Sequence, residues 1–373
     1  GGTVTADFVE FELKRSIDWL QGEVRGDAKR YAAVLVLKEL ATNAPVLFSP
    51  LIPAFFEHIW VAIQSDGKPI VREAAVEALR AVLVIIANRG DDTWYRHQWF
   101  SRISEQMSEG FRIGEAASIH GSLLVIGELL RNTGNYMHSK LEDTCKIVFA
   151  YKSHKNRLVQ RATIQLLPQL AHFNPAHFVQ HWLDACLTHL LNVLRSGGDH
   201  YDISFAAVGE IALAVGQAIT PYTQQLIALV NTALASRNER RQGPRVDTNE
   251  ALRCVSKLAK AVGPSLAPQI ESLVDQMFAA GLSQPLLDAL SELARSTPSL
   301  LPNVQTRLQS CISAVLDAPK AEGVSLVSGE GLATGGPYPA ADESDVALAL
   351  GALSSFGGDD PRARDVVINS VVW

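Results

Sequence analysis

Two histidines, His177 and His181, stand four residues apart, a spacing that puts both on one face of a helix. His172 and His189 flank them, and Asp184 lies nearby. Zinc hydrolases use such a pair, with a glutamate beside the first histidine as the base. Here Phe178, Val179 and Gln180 intervene, so the base is missing and the histidines are expected to be ordinary helix-surface residues. The four cysteines, Cys145, Cys186, Cys254 and Cys311, form no C-x-x-C and sit in apolar helical runs. That suits small buried hydrophobes in a reducing cytosol. There is no G-x-S-x-G, no Walker A sequence, and neither the H-R-D nor the D-F-G signature of a kinase. Carboxylates are plentiful, but no pair stands out from solvated helix faces. This segment is therefore expected to be no enzyme, with no catalytic residue, no metal and no cofactor.

Binding surfaces remain. Trp94-Tyr95-Arg96-His97-Gln98-Trp99-Phe100 is the densest aromatic cluster. Aromatics and arginine are enriched at interface hot spots, which makes Trp94, Tyr95, Arg96 and His97 candidate partner contacts. The competing and preferred reading is that Trp94, Tyr95 and Trp99 pack a helix start into the core. A second candidate is the stretch Ser236–Gly243 with Pro244 and Arg245 behind it, expected as an exposed basic loop carrying Arg237, Arg240, Arg241 and Arg245. Such a loop could meet an acidic partner or RNA, although simple solvation is the commoner fate of a charge run.

The elements that would carry these residues repeat. Arg30-Tyr31-Ala32-Ala33-Val34-Leu35-Val36-Leu37 overlays Arg72-Glu73-Ala74-Ala75-Val76-Glu77-Ala78-Leu79, and Val71–Leu79 overlays Val159–Leu167. Small residues fall at one face, with Leu, Ile or Val one turn on, as closely approaching helices require. Leu40-Ala41, Leu170-Ala171, Leu258-Ala259 and Leu293-Ala294 are each followed by a proline: Pro45, Pro175, Pro264 and Pro298. Proline cannot continue a helix, so each should end one helix and open a turn. With Leu40, Leu83, Leu129, Leu170, Leu213, Leu258 and Leu293 as anchors, the steps are 43, 46, 41, 43, 45 and 35 residues. The spacing is that of HEAT or armadillo units, and two helices per unit fit it better than three. In the first helix Val9, Leu13, Ile17 and Leu20 form the apolar face, with Glu10, Lys14 and Asp18 outside. Asp27 is the expected N-cap of the second. The fold class is all-α: a superhelical α-solenoid of about seven to eight HEAT-type antiparallel helix pairs. The solenoid is expected over 1–317 and a flexible Gly/Ala/Ser/Pro linker over 318–343. The start of a further repeat follows over 344–373, with a helix at Asp345–Phe356, the whole being a piece of a longer chain.

Composition agrees. The chain is 47% hydrophobic and 19% charged, enough apolar material for an ordered core. A net charge of −6 argues against a nucleic-acid partner, and no polar side chain recurs at fixed positions as repeat RNA readers need. The densest apolar run, Ala81–Ala87, is far too short to span a bilayer, so no direct membrane insertion is expected.

Several stretches resemble, in order, the N-terminal HEAT region of the target-of-rapamycin kinases, members of the phosphatidylinositol-3-kinase-related kinase group. They are Tyr31–Ala41, Trp94–His97, Ile119-His120-Gly121-Ser122-Leu123-Leu124 to Leu130, Leu166–Ala171, Ala261–Pro264, Gly281–Ser283 and Glu343–Val346. One departure is the short gap Arg131–Arg157, where the family carries a long variable insertion. The resemblance implies a serine/threonine kinase parent that integrates nutrient and growth signals, with its catalytic domain downstream. It implies that this segment is a scaffold docking a raptor-type adaptor subunit, contributing to a dimeric assembly and helping receive a Rheb-type small GTPase. It also implies a cytoplasmic location, with recruitment to the lysosomal or vacuolar surface through partners. A stand-alone HEAT adaptor, such as a transport receptor or a phosphatase scaffold, is the alternative.

Overall fold

The computed structural model describes residues 5–22, 26–65, 67–88, 93–239, 248–279 and 283–316, with 236–239 and 309–316 in their backbone only. The chain divides into two compact units, Gly1–Pro175 and Ala176–Trp373. The described residues form helices joined by short turns, with no strand among them.

In the first unit the main helices are α1 (Ala6–Gln21), α2 (Asp27–Asn43), α3 (Ile52–Trp60), α4 (Pro69–Ala87), α5 (Thr93–Ile113), α6 (Ala116–Asn132), α7 (Leu141–Ala150) and α8 (Arg157–Phe173), with short helical turns at Pro45–Phe48 and Asn135–His138. They make four pairs in two rows. The even-numbered helices form the inner row, where α2 packs on α4, α4 on α6 and α6 on α8. Each odd-numbered helix lies against the inner helix that follows it, with α3 doing so through its continuation, the π turn Val61–Ser65.

In the second unit the main helices are α9 (Leu183–Ser196), α10 (Tyr201–Val215), α11 (Thr223–Glu239), α12 (Asn249–Val262), α13 (Val274–Ala279), α14 (Gln284–Ser296) and α15 (Leu301–Leu316), with short helices at Pro175–His181 and Ala267–Glu271. Here α10, α12 and α14 are the inner row, and α9, α11, α13 and α15 the outer one. Three pairs and a leading helix therefore follow the four of the first unit. That agrees with the expected seven to eight repeats. The solenoid boundary at 317, the linker over 318–343 and the helix expected within 344–373 lie outside the described residues.

The anchors explain the rows. All seven anchor positions fall on inner helices, and Leu83, Leu129, Leu170, Leu258 and Leu293 are fully buried. In α10 the register differs: Ile211 and Ala212 are buried and Leu213 only half so, which makes Ile211-Ala212 the equivalent of Leu258-Ala259. An α-helix turns ~100° per residue, so a two-residue slip moves an anchor to the opposite side. The prolines act as expected. α2, α8, α12 and α14 each end two residues before their proline, Pro45, Pro175, Pro264 and Pro298. Asp27 is not the N-cap of α2 but its first residue, and Gly26 takes the cap position.

One junction is tighter than the rest. A Cβ built on Gly121 would lie 1.9 Å from the Ile63 carbonyl oxygen, so only glycine lets α6 seat on the π turn. Beside it Gln64 donates from Nε2 to the Gln106 carbonyl at 2.6 Å. Arg72 Nε donates to His120 Nδ1 at 3.1 Å, with both residues buried. Burial, reinforced by the Arg72 charge, pulls the His120 pKa down to about 4, so the ring is neutral and its Nδ1 is the acceptor.

Two stretches, Pro45–Ser65 and Tyr201–Ala235, are long and apolar enough by composition to cross a membrane. Both are bent. The first passes through a 3-10 turn at Ser49–Leu51, and the second through Gly216–Tyr222 with Pro221 inside. In each stretch 44% of the most apolar window is buried inside the fold, against neighbouring helices.

Candidate docking surface

The first unit carries an open groove of about 910 Å³ where the C-terminal half of α2 meets that of α4. Its floor is apolar: Ala41, Pro45, Pro50, Ala81, Val84 and Ile85. The sequence dictates this locally, because Pro45 and Pro50 turn the chain away after α2 and uncover the end of α4. Val46 at the lip is 82% exposed and Val84 on the floor 43% exposed. Apolar side chains left open in a concave site are the usual mark of a surface that meets a partner.

Charge surrounds the floor in an ordered way. Lys38 of α2 pairs with Glu77 of α4 at 2.7 Å, and Glu77 holds the lysine above its ordinary pKa. Arg80 of α4 reaches Glu128 of α6 through two parallel bonds, Nε to Oε2 and Nη2 to Oε1, both 2.8 Å. This fork-to-carboxylate geometry is the strong form of an ion pair, and it holds the guanidinium pKa up. Glu128 is buried and is satisfied further by Arg131 Nη1 at 2.7 Å and Asn132 Nδ2 at 3.2 Å. The pairs tie three successive inner helices together and fix the rim of the groove. The same overlay that aligns Arg30 with Arg72 aligns Lys38 with Arg80, so the ladder is a repeated position. That was the available signal, but the carboxylate partners are found only once the repeats are stacked.

The expected contact residues are separated by the structure. On α5, Trp99 and Phe100 are buried, with Trp99 stacked on Phe56 at 4.9 Å between ring centroids. Tyr95 is half-buried against Trp99, while Trp94 is 74% exposed. Packing into the core thus accounts for Trp99, partly for Tyr95, and not for Trp94. Helical geometry gives the reason: Tyr95 lies ~40° around the helix from Trp99, and Trp94 ~140°. Arg96 is half-buried, and His97 is exposed with its ring edge-on to Tyr136 at 5.6 Å. Arg237 is on the last turn of α11, so the basic segment begins as helix rather than as a loop from Ser236. No Gly or Pro occurs before Gly243 to stop it sooner. Arg240, Arg241 and Arg245 lie outside the described residues.

The His177 and His181 rings lie 4.9 Å apart, and no group of three or more His, Cys, Asp or Glu able to hold a metal occurs among the described residues. Burial pushes the Cys145 and Cys254 thiols up to about 12, which makes both poor nucleophiles.

The chain is 42% identical over 377 residues to the serine/threonine-protein kinase TOR of Oryza sativa subsp. japonica, a match to all of this chain and 15% of that protein. Arabidopsis thaliana TOR is 41% identical across 95% of the chain and 14% of its own length, and tor1 of Schizosaccharomyces pombe 33% identical across 85% and 13%. The chain is homologous to a segment of the TOR kinases. It spans about 15% of the TOR protein it matches over its whole length, consistent with an N-terminal portion, and the TOR kinase domain is absent from it. No family model matches the chain. Among solved structures, yeast importin-β superposes with a TM-score of 0.61 at 9% identity, covering 94% of this chain and 40% of that one. A Kap121p variant gives 0.57 at 13% identity, covering 96% and 39%. These likenesses concern the fold alone: this TOR segment is a HEAT-type helical solenoid.

Proposed function

We propose that this segment is the scaffold of a TOR-type kinase on which a raptor-type adaptor subunit docks. The observation that carries the reading is the groove between α2 and α4, an apolar floor with Val46 and Val84 exposed inside a fixed charged rim. A helical-repeat partner offers a complementary shape, an amphipathic helix whose apolar face enters a groove while its polar face meets the rim. The same solenoid would contribute to a dimeric assembly and help receive a Rheb-type GTPase. It would work in the cytoplasm, reaching the lysosomal or vacuolar surface through its partners. Homology to TOR kinases and the solenoid fold support this reading. The likeness to importins concerns fold only and favours no transport role.

The test is a pull-down of the raptor-type adaptor from the same source with the whole chain, comparing wild type with Val46→Glu and Val84→Glu. Two half-exposed or exposed valines can be changed without emptying the core, so both variants should keep their circular dichroism and lose the adaptor. Retained binding by both variants would remove the groove from the interface. No binding by wild type would remove the adaptor reading.

A further inference from the structure

From Thr144 to Leu183 the chain contains no Asp or Glu, yet it carries Lys146, Lys152, Lys155, Arg157 and Arg161. This stands out in a chain with a net charge of −6. Lys146 faces back to Glu142 and Asp143 on its own helix. The other four lie on the turn between α7 and α8 and on the first turns of α8. Lys155, Arg157 and Arg161 are exposed and Lys152 half-exposed, and among the described residues no carboxylate pairs with Lys152, Lys155 or Arg161.

The turn is held in one shape. Tyr151 stacks on Phe111 at 5.4 Å and 17°, and the Asn156 amide donates to His154 Nδ1 at 3.1 Å. Asn156 Oδ1 caps α8 by accepting from the amides of Leu158 and Val159. The first turn of α8 has no acidic residue and opens with Arg157, which sits at the positive end of the helix dipole.

We infer that this turn and the solvent-facing stripe of α8 bind an acidic, extended segment of a partner protein. The ligand's form follows from the stripe. Arg157, Arg161 and Gln165 are each one helical turn apart and exposed, ~6 Å along the axis. Side chains on one side of an extended peptide recur every ~6.6 Å, so alternate carboxylates meet successive arginines, and Gln165 can bond the peptide backbone. A single-stranded nucleic acid fits less well, because it needs open aromatic faces for its bases, and Tyr151 and Phe111 are stacked on each other. A membrane offers a plane of charge, whereas Arg157 and Arg161 stand in one row along α8.

The test uses the whole chain and a fluorescein-labelled peptide of alternating Glu and Ser, read by anisotropy. Binding is expected to weaken as salt rises from about 0.05 to about 0.2 M. The double variant Lys155→Glu, Arg161→Glu should lose about tenfold or more in affinity with unchanged circular dichroism. Lys155→Arg with Arg161→Lys should keep it, and Lys155→Gln with Arg161→Gln serves if charge reversal disturbs folding. The inference is overturned if the matching Gln-Ser peptide binds equally, or if removing the charges leaves affinity unchanged. It is also overturned if an oligothymidylate or phosphatidylserine vesicles bind through the same residues more tightly than the acidic peptide.

Discussion

Replacing Gly121 by alanine tests the packing of the first unit at its tightest point. The new Cβ would stand 1.9 Å from the Ile63 carbonyl oxygen and 2.9 Å from its carbon. Both are backbone atoms, so no rotamer change relieves the clash, and α6 must move off the π turn by more than 1 Å to restore ordinary contact, roughly a third of a van der Waals separation. Overpacking of this kind costs about 3 kcal/mol at the upper end of the usual range. Alanine returns about 1 kcal/mol through its better helix propensity. The net destabilisation is about 2 kcal/mol, a fall in melting temperature of roughly 4–8 °C for a unit of this size. Gly67→Ala is the control, since its Cβ would meet nothing within 4 Å. Differential scanning calorimetry gives the melting shift, and hydrogen exchange locates it. Amides of α6 and of Val61–Ser65 should lose protection while those of the second unit stay unchanged. A Gly121→Ala protein that melts with the Gly67→Ala control would refute the close seating of α6 on the π turn.

Three further outcomes follow from the same geometry. Glu128→Gln removes the charge that Arg80 and Arg131 share and should cost about 1–2 kcal/mol, less than a fully buried pair because both arginines are half-exposed; urea unfolding with the m-value held in view would show it. His120 has a depressed pKa, so its neutral form stabilises the fold fully above about 6.5, and that contribution is lost progressively as pH falls towards about 4. A His120→Gln variant should therefore lose less stability than wild type across that window in parallel pH-melt series, and equal slopes would contradict the assignment. Cys145 and Cys254 should resist an aromatic disulfide reagent at pH 8 until the chain is unfolded, and rapid labelling of either in the native protein would show that it is not buried as described.

Much of the fold was legible because solenoid packing is local. The Leu-Ala…Pro signature marked the ends of α2, α8, α12 and α14, and the repeat length set the number of pairs. The anchor in α10 was misread by two residues because Leu213, Ile211 and Val215 are chemically alike and only burial separates them. The basic segment was given a loop too early since Ser-Arg-Asn-Glu is neutral between helix and turn. The groove was invisible for a different reason. Its walls come from residues some forty positions apart, and Val46 reads in sequence like any other core valine. The resemblance motif at Ile119–Leu124 acquires a physical meaning only in three dimensions. His120 accepts from Arg72, Gly121 admits the Ile63 carbonyl, and Leu123 fills the core.

The ladder of ion pairs has a mechanical consequence. In the first unit Lys38–Glu77, Lys68–Asp27 and Arg80–Glu128 join one repeat to the next along the inner row, whereas Lys14–Glu10 of α1, Arg112–Glu109 of α5 and Lys146–Glu142 of α7 each stay within one helix. Salt weakens exposed ion pairs and leaves apolar contacts largely intact. The two sides of this unit therefore respond unequally to ionic strength, as the two metals of a thermostat strip respond unequally to heat. A partner that inserts a carboxylate or an amine among these pairs would act as a local change of salt, and its presence would be felt as bending rather than as a new contact.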